Sequence, residues 1–149
     1  MKLLGRVMLL MAAGSLVALT TSACDPPPGV PTRLELSIAD QRLRVFSGDA
    51  LIQDFPVSSG KNDGTPRGEF TVISKSSYTT SLHDPSVSMR YMTRFLPKIG
   101  FHGIPRKNGV PLSTPLGQRA VSAGCVRMAD DAAAWIFNNV PIGTPVIVK

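Results

Sequence analysis

The sequence predicts a mostly β domain with one clear helix beside the sheet. Over much of the chain, short apolar stretches alternate with polar residues, which is the period of half-buried strands. Turn-forming residues separate these stretches, and one segment near the C-terminus has helical spacing instead. The part after residue 31 is long enough for a single domain with its own core.

Three strands are predicted to begin the folded part as an antiparallel meander. Apolar and polar residues alternate over 34–38 and 42–46, and residues 51–57 form the third strand. Polar segments at 39–41 and 47–49 have the composition of turns. Short turns of this kind join neighbouring antiparallel strands.

The middle of the chain is predicted to contain shorter strands and long loops. Residues 69–75 form a strand, and residues 76–87 have the weak apolar content of a loop. Residues 89–96 and 98–102 are further strand candidates. Residues 104–118 contain three prolines, so we expect an irregular excursion there.

One helix is predicted near the C-terminus. Asp130 and Asp131 stand at its beginning, where the helix dipole favours acids, and Pro141 ends it. Residues 144–149 form a final strand. The apolar face of the predicted helix is formed by residues at helical spacing: Ala132, Trp135, Ile136 and Val140.

Residues 1–23 have the order of a secretory signal. Two basic residues, Lys2 and Arg6, precede an apolar run over 7–19 that is short for a membrane span, and small residues follow. The alternative is an N-terminal anchor that stays attached. We therefore expect an exported protein of the cell envelope or periplasm.

Cys24 ends this segment, and two processing routes fit it. A signal peptidase could cut after Ala23, or Cys24 could be the lipidated residue of a lipobox-like sequence. We favour lipidation, which would attach the protein to a membrane surface without spanning it. Residues 24–31 then form the lipidation site and a Pro-rich tether, and the folded domain is 32–149.

Charge and composition exclude other classes. The net charge is +6, but the basic residues are scattered without the dense, aromatic-interleaved run of a nucleic-acid site. Two histidines and two cysteines do not make a convincing metal-ligand set. We therefore expect no nucleic-acid partner, no metal and no organic cofactor.

Cys125 is the candidate nucleophile. An exported thiol without a partner is a liability unless it has a use, although a buried inert cysteine or a disulfide with Cys24 would also fit. A thiol needs a base, because the thiolate attacks. His102 ends an apolar strand, which controls its position better than the polar loop that carries His83.

Residues around this pair fit an acyl-transfer site. Gly124 would let the backbone approach a substrate carbonyl, so that nearby amides stabilise an oxyanion. The Gly103 carbonyl could orient the His102 ring, and Ser122 could hydrogen-bond within the loop. Arg127 could hold a substrate carboxylate or phosphate, or pair with an internal acid.

Together these residues resemble the L,D-transpeptidase catalytic domain, also called YkuD-like. Its His-Gly pair is similar to His102-Gly103, and its Ser-x-Gly-Cys-hydrophobic-Arg/Asn signature is similar to residues 122–127 (SAGCVR). Residues 57–61 (VSSGK) and 65–70 (TPRGEF) resemble its upstream elements, and 143–146 (GTPV) its closing strand. The resemblance implies a YkuD-like β-sandwich or mixed sheet with one main helix packed beside it.

The resemblance also implies an activity on peptidoglycan stem peptides. Cys125 would attack the L,D-peptide bond between diaminopimelate and D-Ala, and a thioester acyl-enzyme would pass to an amine acceptor. Carbapenem-type β-lactams would be inhibitors. The alternatives are an L,D-carboxypeptidase or hydrolase on the same scaffold, and an inactive envelope-binding lipoprotein.

Overall fold

A computed structural model describes residues 29–149, which form eleven strands and one helix. The predicted signal, 1–23, and Cys24 lie outside the described residues. The elements in chain order are β1 (Arg33–Ser37), β2 (Arg42–Ser47), β3 (Ala50–Ser58), β4 (Gly68–Thr71), β5 (Ser74–Thr80), β6 (Val87–Leu96), β7 (Ile99–His102), β8 (Arg106–Lys107), β9 (Val110–Pro111), β10 (Val126–Met128), α1 (Asp130–Asn139) and β11 (Pro145–Val148).

The strands form one mixed sheet. Its order is β4-β11-β1-β2-β3-β10-β7-β6-β8-β9, and β5 pairs with β6. The predicted β1–β2–β3 meander is confirmed, with Leu36 opposite Leu43. The β1–β11 and β7–β10 pairs are parallel, while the other pairs among the described strands are antiparallel. The mostly β class with one helix is therefore confirmed.

The apolar core contains residues of the helix and of most strands. Helix α1 packs against β6 and β7. Ala132, Ile136 and Val140 are buried as predicted, and Trp135 is half-buried with its ring centroid 5.8 Å from that of Phe55. Full burial of a side chain such as Ile136 or Val140 stabilises the fold by about 1.5–3 kcal/mol relative to an exposed side chain. The buried face of α1 therefore holds the helix on the sheet.

Several predicted boundaries were wrong. The stretch 69–75 is divided between β4 and β5, which pair with different strands. Part of the predicted loop 76–87 is strand, because β5 continues to Thr80 through backbone pairing with β6 rather than through apolar side chains. The predicted irregular stretch 104–118 contains the short β8–β9 hairpin.

Strand β10 was not predicted, although it is central to the sheet. It is only three residues long and lies between β3 and β7. The single helix among residues 29–149 is neither long nor apolar enough to cross a membrane.

Candidate active site

The sheet places the predicted nucleophile and base on one face. In the parallel β7–β10 pair, Arg127 lies opposite His102 and Val126 lies opposite Phe101. Side chains two residues apart in a strand point to the same side, so Cys125, just before β10, shares the face of Arg127 and His102. The neighbouring Val126 and Phe101 are fully buried in the core.

His102 is buried and held in one tautomer. Its side chain is 2% exposed, and Nδ1 lies 2.6 Å from the Gly103 carbonyl oxygen. A carbonyl only accepts, so Nδ1 carries the proton and Nε2 keeps its lone pair. Burial lowers the pKa of His102 to about 4; the Gly103 carbonyl and Asp130 oppose this shift, and the Arg127 charge adds to it. The imidazole is therefore neutral at neutral pH.

The Cys125 thiol is also neutral at rest. Burial raises its pKa, while the Gly100 backbone and the charges of Arg94 and Arg127 act in the opposite direction. Its Sγ donates a hydrogen bond to the Lys98 carbonyl oxygen over 3.5 Å. The site therefore holds a thiol and a neutral imidazole rather than a thiolate–imidazolium pair.

Gly103 follows His102 at a position where a larger residue would have to displace the Asp130 side chain. A Cβ at this position would collide with the Asp130 carboxylate. That carboxylate accepts the Ile104 N–H at 2.8 Å and binds the Arg106 guanidinium at 2.6 Å. The Gly103 N–H donates to the Arg90 carbonyl at 2.9 Å. The helix start thus fixes the segment whose carbonyl orients His102.

Ser122 and Gly124 stabilise the turn that carries Cys125. The Ser122 hydroxyl donates to the Cys125 carbonyl and accepts the Gly124 N–H at 3.0 Å. Ser122 therefore hydrogen-bonds within the turn that carries Cys125. Since the Gly124 N–H is already used, the Cys125 amide is the better candidate for binding an oxyanion.

A second glycine loop packs against this turn. The buried Thr65 hydroxyl accepts the Gly60 N–H at 2.7 Å and donates to the Gly124 carbonyl at 2.7 Å. A Cβ on Gly124 would lie 2.8 Å from the Gly64 carbonyl oxygen. The glycines therefore permit the backbone-to-backbone contact that positions Cys125.

Cys125 and His102 both line one cleft, which has a volume of about 760 Å³. Its lining includes five of the six site residues predicted within the described part of the chain, namely Cys125, His102, Ser122, Gly124 and Arg127, whereas Gly103 lies outside the lining. His83, the alternative base, also lines the cleft, but from an exposed loop. Among residues 29–149, no group of three or more His, Cys, Asp or Glu side chains is arranged to hold a metal ion.

Sequence reasoning missed three residues that contribute to this site: Arg94, Thr65 and Asp130. Arg94 resembles any polar residue of a strand, so no sequence signal marks it. Thr65 and Asp130 were noted only for a motif and for the helix start, and their contacts with Gly124 and Ile104 join distant parts of the chain.

The comparisons with known proteins agree with this geometry. The sequence model of the YkuD family, described as the L,D-transpeptidase catalytic domain, matches residues 31–148. The chain therefore belongs to the L,D-transpeptidase family. The resemblance drawn from the His-Gly and Ser-x-Gly-Cys motifs is confirmed.

Two curated relatives show the degree of similarity. The chain is 26% identical over 123 residues to a putative L,D-transpeptidase YkuD of Bacillus licheniformis, covering 82% of this chain and 68% of the relative. It is 31% identical over 134 residues to a probable L,D-transpeptidase 3 of Mycobacterium tuberculosis. That match covers 83% of this chain but only 45% of the relative.

Solved structures show the same fold. An L,D-transpeptidase from Mycobacterium smegmatis superposes with a TM-score of 0.68 at 27% identity, over 81% of this chain and 59% of that one. An L,D-transpeptidase in complex with imipenem superposes with a TM-score of 0.67 at 25% identity, over 78% and 57% of the two chains. This chain thus spans less than two thirds of either structure.

Proposed function

We propose that this protein is a peptidoglycan L,D-transpeptidase with Cys125 as nucleophile and His102 as base. The observation that carries the proposal is the β7–β10 register, which sets Arg127 beside His102 and places Cys125 on the same face of the sheet, in one cleft. Membership of the L,D-transpeptidase family supports the reaction class.

In the first step, the Cys125 sulfur attacks the carbonyl carbon of the diaminopimelate–D-Ala bond of a tetrapeptide stem. His102 Nε2 takes the thiol proton as the C–S bond forms, because thiol and imidazole both begin neutral. The C–N bond then breaks, and the same proton passes to the leaving amine of D-Ala. A thioester on Cys125 and free D-Ala result.

In the second step, an amine of an acceptor attacks the thioester. His102 takes a proton from the attacking amine and returns it to the departing Cys125 sulfur, so the enzyme is regenerated. The Cys125 amide is positioned to stabilise the oxyanion in both steps. Arg127 stands beside His102, where its charge adds to the effect of burial in lowering the pKa of the imidazole, and it lines the cleft where substrate carboxylates would bind.

The same thiol is expected to react with a carbapenem-type β-lactam. A related structure was solved in complex with imipenem. Opening of the β-lactam ring would leave the whole antibiotic attached to Cys125, because the amine leaving group stays tethered to the acyl group. This reaction therefore reports the first chemical step alone.

Product analysis on a defined disaccharide-tetrapeptide tests the proposal. We expect a cross-linked dimer and free D-Ala by mass spectrometry, and an imipenem adduct on the intact protein. Cys125→Ala should form neither, and His102→Ala should slow adduct formation by about 10²–10⁴-fold. His83→Ala, which removes the exposed imidazole of the same cleft, serves as the matched control.

Other products would change the assignment. A tripeptide without dimer would indicate a carboxypeptidase on the same scaffold. An imipenem adduct on Cys125→Ala would contradict the nucleophile. No turnover and no adduct with folded wild-type protein would favour an inactive envelope-binding protein.

A further inference from the structure

Arg94 lies on the cleft face of the sheet, two strands from Cys125. The β6–β7 register places Arg94 opposite Gly100. The β7–β10 register, which pairs Phe101 with Val126, sets Gly100 beside Cys125. Gly100 has no side chain, and a Cβ there would lie 2.8 Å from the Arg94 Cα. The glycine thus allows β6 to approach β7 closely, and the middle strand places no side chain of its own between Arg94 and Cys125.

Hydroxyl groups, rather than acids, hold the Arg94 guanidinium. Nη1 donates to Ser76 Oγ at 3.0 Å, and Nη2 lies 3.4 Å from Thr79 Oγ1. Arg94 takes part in none of the ion pairs found among residues 29–149. A guanidinium has five N–H donors, so about three remain for a ligand. The group is thus oriented by hydroxyls, and no carboxylate among residues 29–149 pairs with it.

The environment of Arg94 differs from that of Arg106, a second arginine near the site whose guanidinium contacts another side chain. The Arg106 guanidinium is neutralised by Asp130 at 2.6 Å. Arg94, by comparison, lines the cleft with Cys125 and lowers the pKa of its thiol against the larger effect of burial. Its charge therefore acts on the space where a substrate carbonyl must sit.

The spacing suits a carboxylate one residue from the bond that breaks. Adjacent strands lie about 4.8 Å apart, so the backbones of Arg94 and Cys125 are about 10 Å apart. Consecutive Cα atoms lie about 3.8 Å apart. A residue attached to the reacting carbonyl over Cys125 can therefore extend over Gly100 towards the Arg94 guanidinium, which leans towards Ser76 and Thr79 of β5. A planar guanidinium matches a carboxylate with two parallel hydrogen bonds.

We propose that Arg94 is a specificity-determining residue that binds the free C-terminal carboxylate of the acyl donor, on the D-residue that leaves. The assignment rests on the proposed transpeptidase function. It selects donors whose scissile amide is the last in the peptide and disfavours amides followed by further residues. Donor selection would thus depend on Arg94, a residue outside the motif of residues 122–127.

The test compares two donors: the disaccharide-tetrapeptide and the same peptide with a C-terminal amide. We expect wild-type kcat/KM to favour the carboxylate by about 10- to 100-fold, the range for hydrogen bonds to charged groups. Arg94→Gln should erase that preference, mainly through KM, and Arg94→Lys should restore part of it. Arg90→Gln, an exposed arginine of the same strand, should keep the wild-type preference.

A second measurement separates binding from activation of the thiol. Loss of the Arg94 charge should move the pH profile of Cys125 alkylation by neutral iodoacetamide upward, and this change acts on both donors equally, so it leaves their ratio of kcat/KM untouched. Slower alkylation together with an equal loss for both donors would mean that Arg94 acts on the thiol alone, and the proposal would be overturned. Thermal unfolding of each variant checks that it is folded.

Failure of the proposed function has a different signature. If the wild type converts neither donor, the transpeptidase assignment fails. Calorimetric binding of the two peptides to the folded Cys125→Ala protein then still measures the role of Arg94. Equal affinity for the carboxylate and amide peptides, or equal affinity with and without Arg94→Gln, would overturn the inference about Arg94.

Discussion

His102 is a buried histidine whose environment disfavours its charged form. Burial and the nearby Arg127 charge lower its pKa to about 4, and Asp130 and the Gly103 carbonyl only partly compensate. An ordinary histidine has a pKa of about 6.5. The residue can therefore accept a proton from Cys125 over the whole neutral range, but at a cost in free energy whenever it is charged.

This residue predicts a pH dependence of stability. Between pH 6.5 and 4 the unfolded chain binds a proton at His102 that the folded chain does not, so the free energy of unfolding falls as pH falls. At about 1.4 kcal/mol per pH unit, the loss is about 3 kcal/mol over that window. Urea unfolding at several pH values measures it.

Two variants isolate the contribution of His102 from that of carboxylates. His102→Gln should remove most of this slope, whereas His83→Gln, whose side chain is exposed, should retain it. A slope unchanged by His102→Gln would mean that other groups set the acid sensitivity of folding.

The same residue predicts a pH dependence of activity. The value of kcat/KM should fall at low pH as His102 is protonated, with an acid limb near pH 4.

Two loops and one short strand, rather than a helix, support the candidate nucleophile. The loop containing Gly60 and Thr65 meets the turn containing Gly124 through one hydroxyl and several close backbone contacts. These contacts join residues about 60 positions apart in the chain, since Thr65 and Gly124 differ by 59. Positioning of Cys125 is therefore a property of two elements together.

Thr65→Val should show this coupling. Valine keeps the shape but leaves the buried Gly60 N–H and Gly124 carbonyl without their partner, which costs about 1–3 kcal/mol for each group that stays unsatisfied. We expect lower stability in urea and slower imipenem acylation. Thr71→Val, an exposed threonine of β4, is the control and should change neither. Wild-type acylation in Thr65→Val would separate the loop contact from catalysis.

The elements also show what the sequence could and could not predict. The meander and the helix follow from strong periodicity, and the motifs alone select Cys125 and His102 as the candidate nucleophile and base. Strand β5 has the polar sequence SKSSYTT, and it is a strand because β6 supplies its backbone partners. Strand β10 is too short to show a period. The position of Arg94 near Cys125 follows from the pairing register of β6, β7 and β10, and that register cannot be read from a single sequence.

At the scale of the whole molecule, β3 connects two halves of the sheet. It pairs with β2 on one side and with β10 on the other. The half around β1 and β11 forms much of the core, while the half around β7 and β10 carries the site.

We predict that Cys24 determines where the domain resides in the cell. The sequence of residues 1–24 favours a lipidated cysteine after an export signal. Cys24→Ser should move the protein from the membrane fraction to the soluble envelope fraction, while its imipenem acylation stays unchanged. Cys125→Ser should remain in the membrane fraction. Recovery of Cys24→Ser with the membrane would contradict lipidation and favour a retained N-terminal anchor.

The parallel pairing of β1 with β11 ties the first strand of the domain to the last, and β4 joins the sheet only through β11. Because synthesis proceeds from the N-terminus, the second edge of β1 is not covered until β11 has been synthesised. A growing chain therefore lacks a complete sheet until residues 145–148 arrive. A chain shortened before residue 145 would therefore leave one edge of β1 uncovered and β4 without the strand that pairs with it in the described structure.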